Sequence, residues 1–227
     1  MSGPLMIAVD GPAASGKSTV ARRLAAHFDL AFLDTGLLYR AVARRMIDRH
    51  LDPGDPLAAA SEAEALVPAD VDEHRLRGEG VGQGASKVAV VPAVRAALLP
   101  FQRRIATSGR GAVLAGRDVG TVICPDATCK LYVTASVAER ARRRFEELRG
   151  RGETPIYERV LEELIERDRR DQARSVAPLR IADDALTLDT TRLDADASFA
   201  EAVRLVSGQL SGQVDAAGRP QARPRTD

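Results

Sequence analysis

A chain of 227 residues, 44% hydrophobic and 29% charged, is long enough for one large domain or one domain with inserted subdomains, and it suits a soluble globular protein with a real core. Its 33 basic and 32 acidic residues leave a formal net charge of +1, which argues against bulk electrostatic binding of nucleic acid while leaving room for a locally positive cleft. Two cysteines, Cys124 and Cys129, make neither a disulfide scaffold nor a four-cysteine zinc site; with no signal peptide and no bilayer-length apolar run, a cytoplasmic protein is expected.

In chain order, the apolar run Leu5 to Val9 predicts a buried strand ending at Asp10. GPAASGKST follows, and the periodic stretch Thr19 to His27 predicts a helix. Phe28 to Leu33 is a second strand, closed by Asp34-Thr35-Gly36, and Leu37 to His50 is helical with apolar residues at Leu38, Val42 and Met46. Asp52-Pro-Gly-Asp-Pro is a turn, and a short helix covers 57 to 66. Gly78, Gly80, Gly82 and Gly84 then punctuate a stretch without a clear pattern. Pro92 to Thr107 is a helix with proline well placed at its start. Strands are predicted at Ala112 to Ala115, Cys129 to Val133 and Ala185 to Asp189, and helices at 136 to 149, 156 to 173 and 195 to 210. From Ser211 onward the chain is poor in apolar residues and a disordered tail is expected. Five short strands separated by helices predict an α/β fold with a central parallel sheet and helices on both faces.

The segment Gly11-Pro12-Ala13-Ala14-Ser15-Gly16-Lys17-Ser18 matches G-x-x-x-x-G-K-[ST] and sits between a strand and a helix, the context that a phosphate-binding loop requires. Its glycines let successive N–H groups turn inward around phosphate oxygens, and the helix N-terminus adds partial positive charge. Lys17 can reach the β- and γ-phosphates, and Ser18 is the candidate ligand for Mg²⁺. Residues 11 to 19, Thr19 included, are therefore the candidate donor-nucleotide site. The motif alone does not separate a kinase from a GTPase or a motor.

Three further clusters carry charge to places where an acceptor would bind. Asp34-Thr35-Gly36-x-x-Tyr39-Arg40 follows the second strand, with Arg40 one helical turn past Gly36. Arg117 and Asp118 follow the strand Ala112 to Ala115: the guanidinium can take a phosphate, and the carboxylate can accept from an exocyclic amine, which cytosine and adenine have and uracil and thymine lack. A strand-end ion pair is the structural alternative. Arg167, Asp171 and Arg174, spaced i, i+4 and i+7, would share one helix face, either as an exposed charge ladder or as a helix end entering the protein beside Val176-Ala-Pro-Leu179. The Gly150 to Pro155 break between two charged helices suits a mobile lid, with Arg149 and Arg151 as candidate contributors. Only three of the 33 basic residues are lysines; GC-rich codon use accounts for that bias, although arginine's rigid fork also binds phosphate through two bonds.

From about Ile7 to about Val206 the chain resembles the bacterial cytidylate kinases, members of the nucleoside monophosphate kinase family, through DGPAASGKST, LDTGLLYR, ASKVAVVPAVR, AGRDVGT and ERDRRDQARSVAPL. The resemblance implies a P-loop NTPase fold over residues 1–210, with an inserted monophosphate-binding segment at about 52–100 and a short lid at about 149–157. It implies that Ser86, Arg95 and Asp118 read cytosine, that Arg167 and Asp171 hold the sugar, and that Arg40, Arg117 and Arg174 hold the acceptor phosphate, with Thr35 beside them. Two features depart from the family. The segment His74 to Ala85 carries EGVGQG where relatives have a longer run resembling DVT-x-x-IRT, so the inserted domain is expected to be smaller or to have its first strands cut back. Thr35 stands where some relatives have Ser.

The expected reaction moves the γ-phosphate of ATP onto CMP or dCMP, with Lys17, Arg117 and Arg174 as catalytic charges and no need for a general base. The expected partners are these small nucleotides, with the protein acting as a monomer and binding neither nucleic acid nor membrane. A UMP/CMP or other small-acceptor kinase is the enzymatic alternative; a P-loop nucleotide sensor or an arginine-based RNA binder is the other, opposed by the near-neutral charge and an aromatic content of 4%.

Overall fold

Five short runs pair as one parallel sheet, and the three at its centre are buried along most of their length on both faces, which only a sheet covered by helices on each side allows. In the computed structural model, which describes residues 3–76 and 78–212, the strands are β1 (Leu5–Asp10), β2 (Ala31–Asp34), β3 (Gly111–Gly116), β4 (Cys129–Thr134) and β5 (Leu186–Asp189). They lie in the order β2-β3-β1-β4-β5, every pair parallel. The helices are α1 (Lys17–Phe28), α2 (Thr35–Asp48), α3 (Pro56–Glu64), α4 (Glu79–Val88), α5 (Pro92–Ala106), α6 (Val137–Gly150), α7 (Tyr157–Gln172) and α8 (Ala195–Leu210). Alternate strand residues serve opposite faces. Ile7, Val9, Val113, Ala115, Leu131 and Val133 pack against α1 and α8, whereas Ala8, Ala112 and Leu114 pack toward the end of α5 and the turn after β3.

Two elements differ from the expected boundaries. Phe28 closes α1, Asp29 takes a left-handed conformation at φ 53°, and β2 therefore starts only at Ala31. The glycine-rich stretch expected to be irregular is the helix α4, and among the described residues no strand lies between β2 and β3, so this segment is helical where shortened strands were expected. Beneath the glycines, Val81, Ala85 and Val88 keep a helical spacing and are buried. Each glycine costs the helix about 1 kcal/mol relative to alanine, and packing offsets it. At Gly84 a Cβ would stand 3.0 Å from the Cβ of Ala43 on α2 and 3.4 Å from Pro53, so the missing side chain permits the close approach of the two helices. Together α2, α3, α4 and α5 enclose their own core, including Leu38, Val42, Met46, Ala63 and Leu98. Arg45 adds ion pairs to Glu62 at 2.8 Å and Asp70 at 2.9 Å.

Helices α6 and α7 form a hairpin through residues 151–156, packed on Ala141, Leu148, Val160 and Leu164, with Ala13 in the same cluster. That contact places the hairpin over the loop after β1. Among the described residues no single helix is long and apolar enough to cross a membrane. Helix α8 is capped at Ser211, and residues 213–227 of the expected disordered tail lie outside the described residues.

Candidate active site

The carboxyl ends of β1, β2 and β3 converge on one edge of the sheet, where a parallel α/β sheet opens a crevice at the reversal of strand order. After β1 the chain turns through Gly11 at φ 152°, where any Cβ would collide with the Val133 carbonyl of β4. Left-handed Ala14 and Gly16, at φ 58° and 85°, then deliver the chain to the start of α1. Ala13, Ala14, Gly16, Lys17, Ser18 and Thr19 line a cleft of about 430 Å³, while Gly11, Pro12 and Ser15 are buried behind it. Lys17 is buried, its Nζ donating to the Pro12 carbonyl at 3.3 Å. Burial first, then the nearby Arg117, lowers its ammonium to about 7. Asp34 caps α2 by accepting from the Gly36 N–H at 3.0 Å and accepts from the Ser18 hydroxyl at 2.7 Å, joining the ends of β1 and β2.

The far wall of the cleft comes from the α6–α7 hairpin. Arg143 and Arg144 line it, not Arg149 or Arg151; Arg149 lies 5.8 Å from the centre of the Phe145 ring, and Arg151 is paired with Glu147. Arg140 is buried and donates to the Ala13 carbonyl at 3.2 Å, the Ala135 carbonyl at 3.0 Å and Asp168 at 2.7 Å. Arg143 donates to the Thr190 hydroxyl at 2.9 Å, and that hydroxyl lies 3.0 Å from the Ser15 carbonyl. Sequence reasoning missed Arg140, Arg143 and Arg144. In a helix as charged as α6 they carry the same local signature as Arg142, which is exposed and whose partners, Glu139 and Glu146, lie on its own helix.

All nine residues expected on the acceptor side, Thr35 to Arg174, line a second and smaller pocket of about 60 Å³ beside the first. Two sets of its charged groups are paired with each other, Arg95 with Asp118, and Arg117 and Arg174 with Asp171. Asp171, 1% exposed, accepts from Arg117 Nε at 2.8 Å through one oxygen and is ion-paired with Arg174 through the other. Burial alone would raise the Asp171 carboxyl, but Arg117, Arg174 and Arg167 hold it below the ordinary carboxylate value. Arg174 itself lies past the end of α7, which closes at Gln172, so the three residues do not share one helix face as their spacing implied. They meet because the chain turns inward there, the Leu179 N–H donating to the Asp171 carbonyl at 2.8 Å.

Arg95 enters from α5, is ion-paired with Asp118, donates to the Ala89 carbonyl at 3.2 Å and lies 5.4 Å from the centre of the Tyr39 ring. Tyr39, another residue that sequence reasoning did not single out, has its phenol pushed up to about 12 by burial. Thr35 donates its hydroxyl to the Ala115 carbonyl at 2.9 Å and lines the pocket. Ser86, on α4, is buried with its hydroxyl oxygen lacking any hydrogen-bond partner. It shares that state with other buried polar atoms, among them Ser15 Oγ behind the cleft and the Nε atom of Arg174 in this pocket, and water, an ion or a ligand would complete each of them. Asp34, Gly36, Arg40, Arg117 and Arg167 line both spaces and form the boundary where they join.

A phosphate loop on the central strand of a parallel sheet, opening through shared arginines onto a second pocket, defines the class of P-loop kinases. A solved structure of an uncharacterized protein from Eubacterium ventriosum shares the fold with a TM-score of 0.55 at 13% identity, covering 89% of this chain and 98% of that one. The family profile described as Cytidylate kinase matches residues 7–207, and the chain belongs to the cytidylate kinase family. The cytidylate kinase of Methylocella silvestris is 57% identical over 202 residues, 89% of this chain and 94% of that protein. That of Paramagnetospirillum magneticum is 53% identical over 207 residues, 90% and 98% of the two chains.

Proposed function

We propose that the chain transfers the γ-phosphate of ATP to CMP or dCMP, giving ADP and CDP or dCDP, with the triphosphate in the larger cleft and the acceptor in the smaller pocket. The observation that carries this reading is the shared boundary: Arg40, Arg117 and Arg167 face both spaces, where the transferring phosphoryl group has to pass. The acceptor phosphate is anionic at pH 7 and is its own nucleophile, so the protein supplies position and positive charge and no general base. Lys17 and the backbone N–H groups of residues 11–19 hold the β- and γ-phosphates. Arg40, Arg117 and Arg174 hold the acceptor phosphate, and Lys17, Arg117 and Arg174 neutralise the charge that spreads over the group in flight.

Base and sugar are read by the remaining residues. Asp118 accepts from the cytosine amine, with Arg95 on the same base edge and the unpartnered Ser86 hydroxyl beside them. Arg167 and Asp171 bind the ribose, and Thr35 completes the wall. A Mg²⁺ ion fits at Ser18, whose hydroxyl lies 2.7 Å from the Asp34 carboxylate at the edge of the cleft, since hard oxygen donors next to phosphate are what this ion takes. Held by Ser18, such an ion would supply positive charge beside the phosphates. Residues 1–210 form one domain, in which the segment of about 52–100 serves as the acceptor-binding part and about 149–157 as the lid. The protein works as a monomer on small nucleotides and does not act on nucleic acid, in line with its formal charge of +1.

The test is a coupled assay of ADP release against a panel of nucleoside monophosphates at equal concentration. CMP and dCMP are expected to dominate the panel. Equal turnover of UMP, or a preference for AMP or GMP, would overturn the assignment of the base pocket.

A further inference from the structure

Strand β1 ends at Asp10, a buried carboxylate that takes no part in the transfer described above. One of its oxygens accepts from the Val119 N–H at 2.8 Å and the other from the Gly120 N–H at 2.7 Å. Those are the first two N–H groups of a single π-helical turn, Val119–Ile123, whose flanking residue on the N-terminal side is Asp118. An aspartate in that flanking position ordinarily folds its own side chain back onto the second or third N–H of such a turn, here Gly120 or Thr121. Asp118 does not: it makes no capping hydrogen bond, and its carboxylate points to Arg95 in the acceptor pocket. The pairing of β1 with β3 sets Asp10 directly beside Gly116, which brings its carboxylate under the turn.

We propose that Asp10 is a positioning residue for base recognition: it caps the 119–123 turn in place of Asp118, and so leaves the Asp118 carboxylate facing Arg95 and the acceptor base. Charge works in the same direction. Burial pushes the Asp10 carboxyl up to about 6 against the pull of its two backbone bonds, and the Asp118 carboxylate raises it further, so the two carboxylates disfavour each other's approach. Because Asp10 is joined directly to Gly11, one residue ties the loop that holds the donor to the turn that reads the acceptor. Without Asp10 the unpartnered N–H groups attract Asp118 itself, and the base pocket loses its acceptor.

The inference rests on the assignment of Asp118 to base recognition, and its test separates the two. The kcat/KM for CMP and for UMP, the KM for ATP and the melting curve are measured for the wild type, Asp118→Asn, Asp10→Asn and Asp10→Ser. An asparagine at position 10 offers one acceptor oxygen and one NH₂ group to two N–H donors, leaving one donor opposed. In Asp10→Asn the CMP-to-UMP ratio should fall about tenfold or more, while the KM for ATP changes by less than about twofold. The ratio does not depend on the folded fraction, so lost stability cannot imitate this result, and the smaller serine substitution repeats the test should the asparagine variant fold poorly. A wild-type ratio in both Asp10 variants alongside a lowered ratio in Asp118→Asn overturns the role of Asp10 alone. An unchanged ratio in Asp118→Asn overturns the base-reading assignment, and the role of Asp10 with it.

Discussion

The loop from Gly11 to Ser18 gets its shape from backbone, whereas the pocket around Asp171 gets its shape from charge. In the loop, positive-φ residues and a glycine pressed against β4 fix the curve, and a single lysine supplies the formal charge. In the pocket, Arg95, Arg117, Asp118, Asp171 and Arg174 arrive from three separate stretches of chain and pair with one another, three arginines on two aspartates. The cleft over the loop, walled on its far side by charged side chains of α6 and α7, has about 430 Å³, and the acceptor pocket has about 60 Å³. A substitution on the donor side therefore removes one function and leaves the shape. A substitution on the acceptor side strands a buried partner and disturbs both binding and stability.

Lys17→Ala should show the largest effect on turnover and almost none on the fold. Loss of a charge aimed at the transferring phosphates is expected to lower kcat about a hundredfold to a thousandfold. The melting temperature should hold or rise, because a buried ammonium that burial disfavours is gone. Turnover and a thermal melt on one preparation check both halves; a variant keeping more than half of wild-type turnover would break the donor assignment.

Asp171→Ala should do the opposite. It leaves Arg117 and Arg174 facing each other without their shared carboxylate, and removing one partner of a buried ion pair destabilises by about 3–5 kcal/mol. Acceptor binding is expected to weaken more than about tenfold while ATP binding stays nearly constant. Separate titrations with CMP and ATP read this directly, and equal losses for both would contradict the division between the two sides.

A smaller effect reports on protonation. With its ammonium lowered to about 7, Lys17 is largely neutral at pH 8 and charged at pH 6. A bound triphosphate restores its ordinary affinity for a proton. ATP binding should therefore take up close to one proton at pH 8 and almost none at pH 6. Calorimetry in buffers of different ionisation enthalpy measures the uptake; no difference between the two pH values would show that Lys17 already carries its proton at pH 8 or does not meet the phosphates.

The same contrast decides what could be read in advance. The phosphate loop was legible because its chemistry sits in eight consecutive residues whose spacing has one structural meaning. Arg117 and Asp118 were legible as charges at the end of a buried strand. Ser86 and Arg95 came only from the resemblance to a family: Arg95 is buried by its pairing with Asp118, 23 residues further on, and no local pattern encodes that contact. Arg140 and Arg143 were hidden among the other arginines of α6, because burial and not residue type distinguishes them. The glycines of α4 looked like loop residues because propensity is read locally, whereas the packing of Gly84 on Ala43 that outweighs it is tertiary. The short cap on the turn after β3 was invisible for the same reason, since Asp10 and Val119 are 109 residues apart.

The central claim is that this pocket chooses cytosine, and Asp118→Asn tests it most directly. A carboxylate only accepts hydrogen bonds, so the cytosine amine satisfies it and the uracil carbonyl does not; the unpaired group costs about 1–3 kcal/mol, or about tenfold to a few hundredfold in selectivity. Asparagine keeps the shape and adds a donor that suits uracil. Measured as kcat/KM for CMP and UMP on both proteins, the wild type should prefer CMP strongly, and Asp118→Asn should lose most of its activity on CMP and narrow the ratio. The ratio is the quantity to read, because Asp118 also pairs with Arg95 and both rates can fall together. A CMP-to-UMP ratio that stays at its wild-type value in Asp118→Asn would contradict the account.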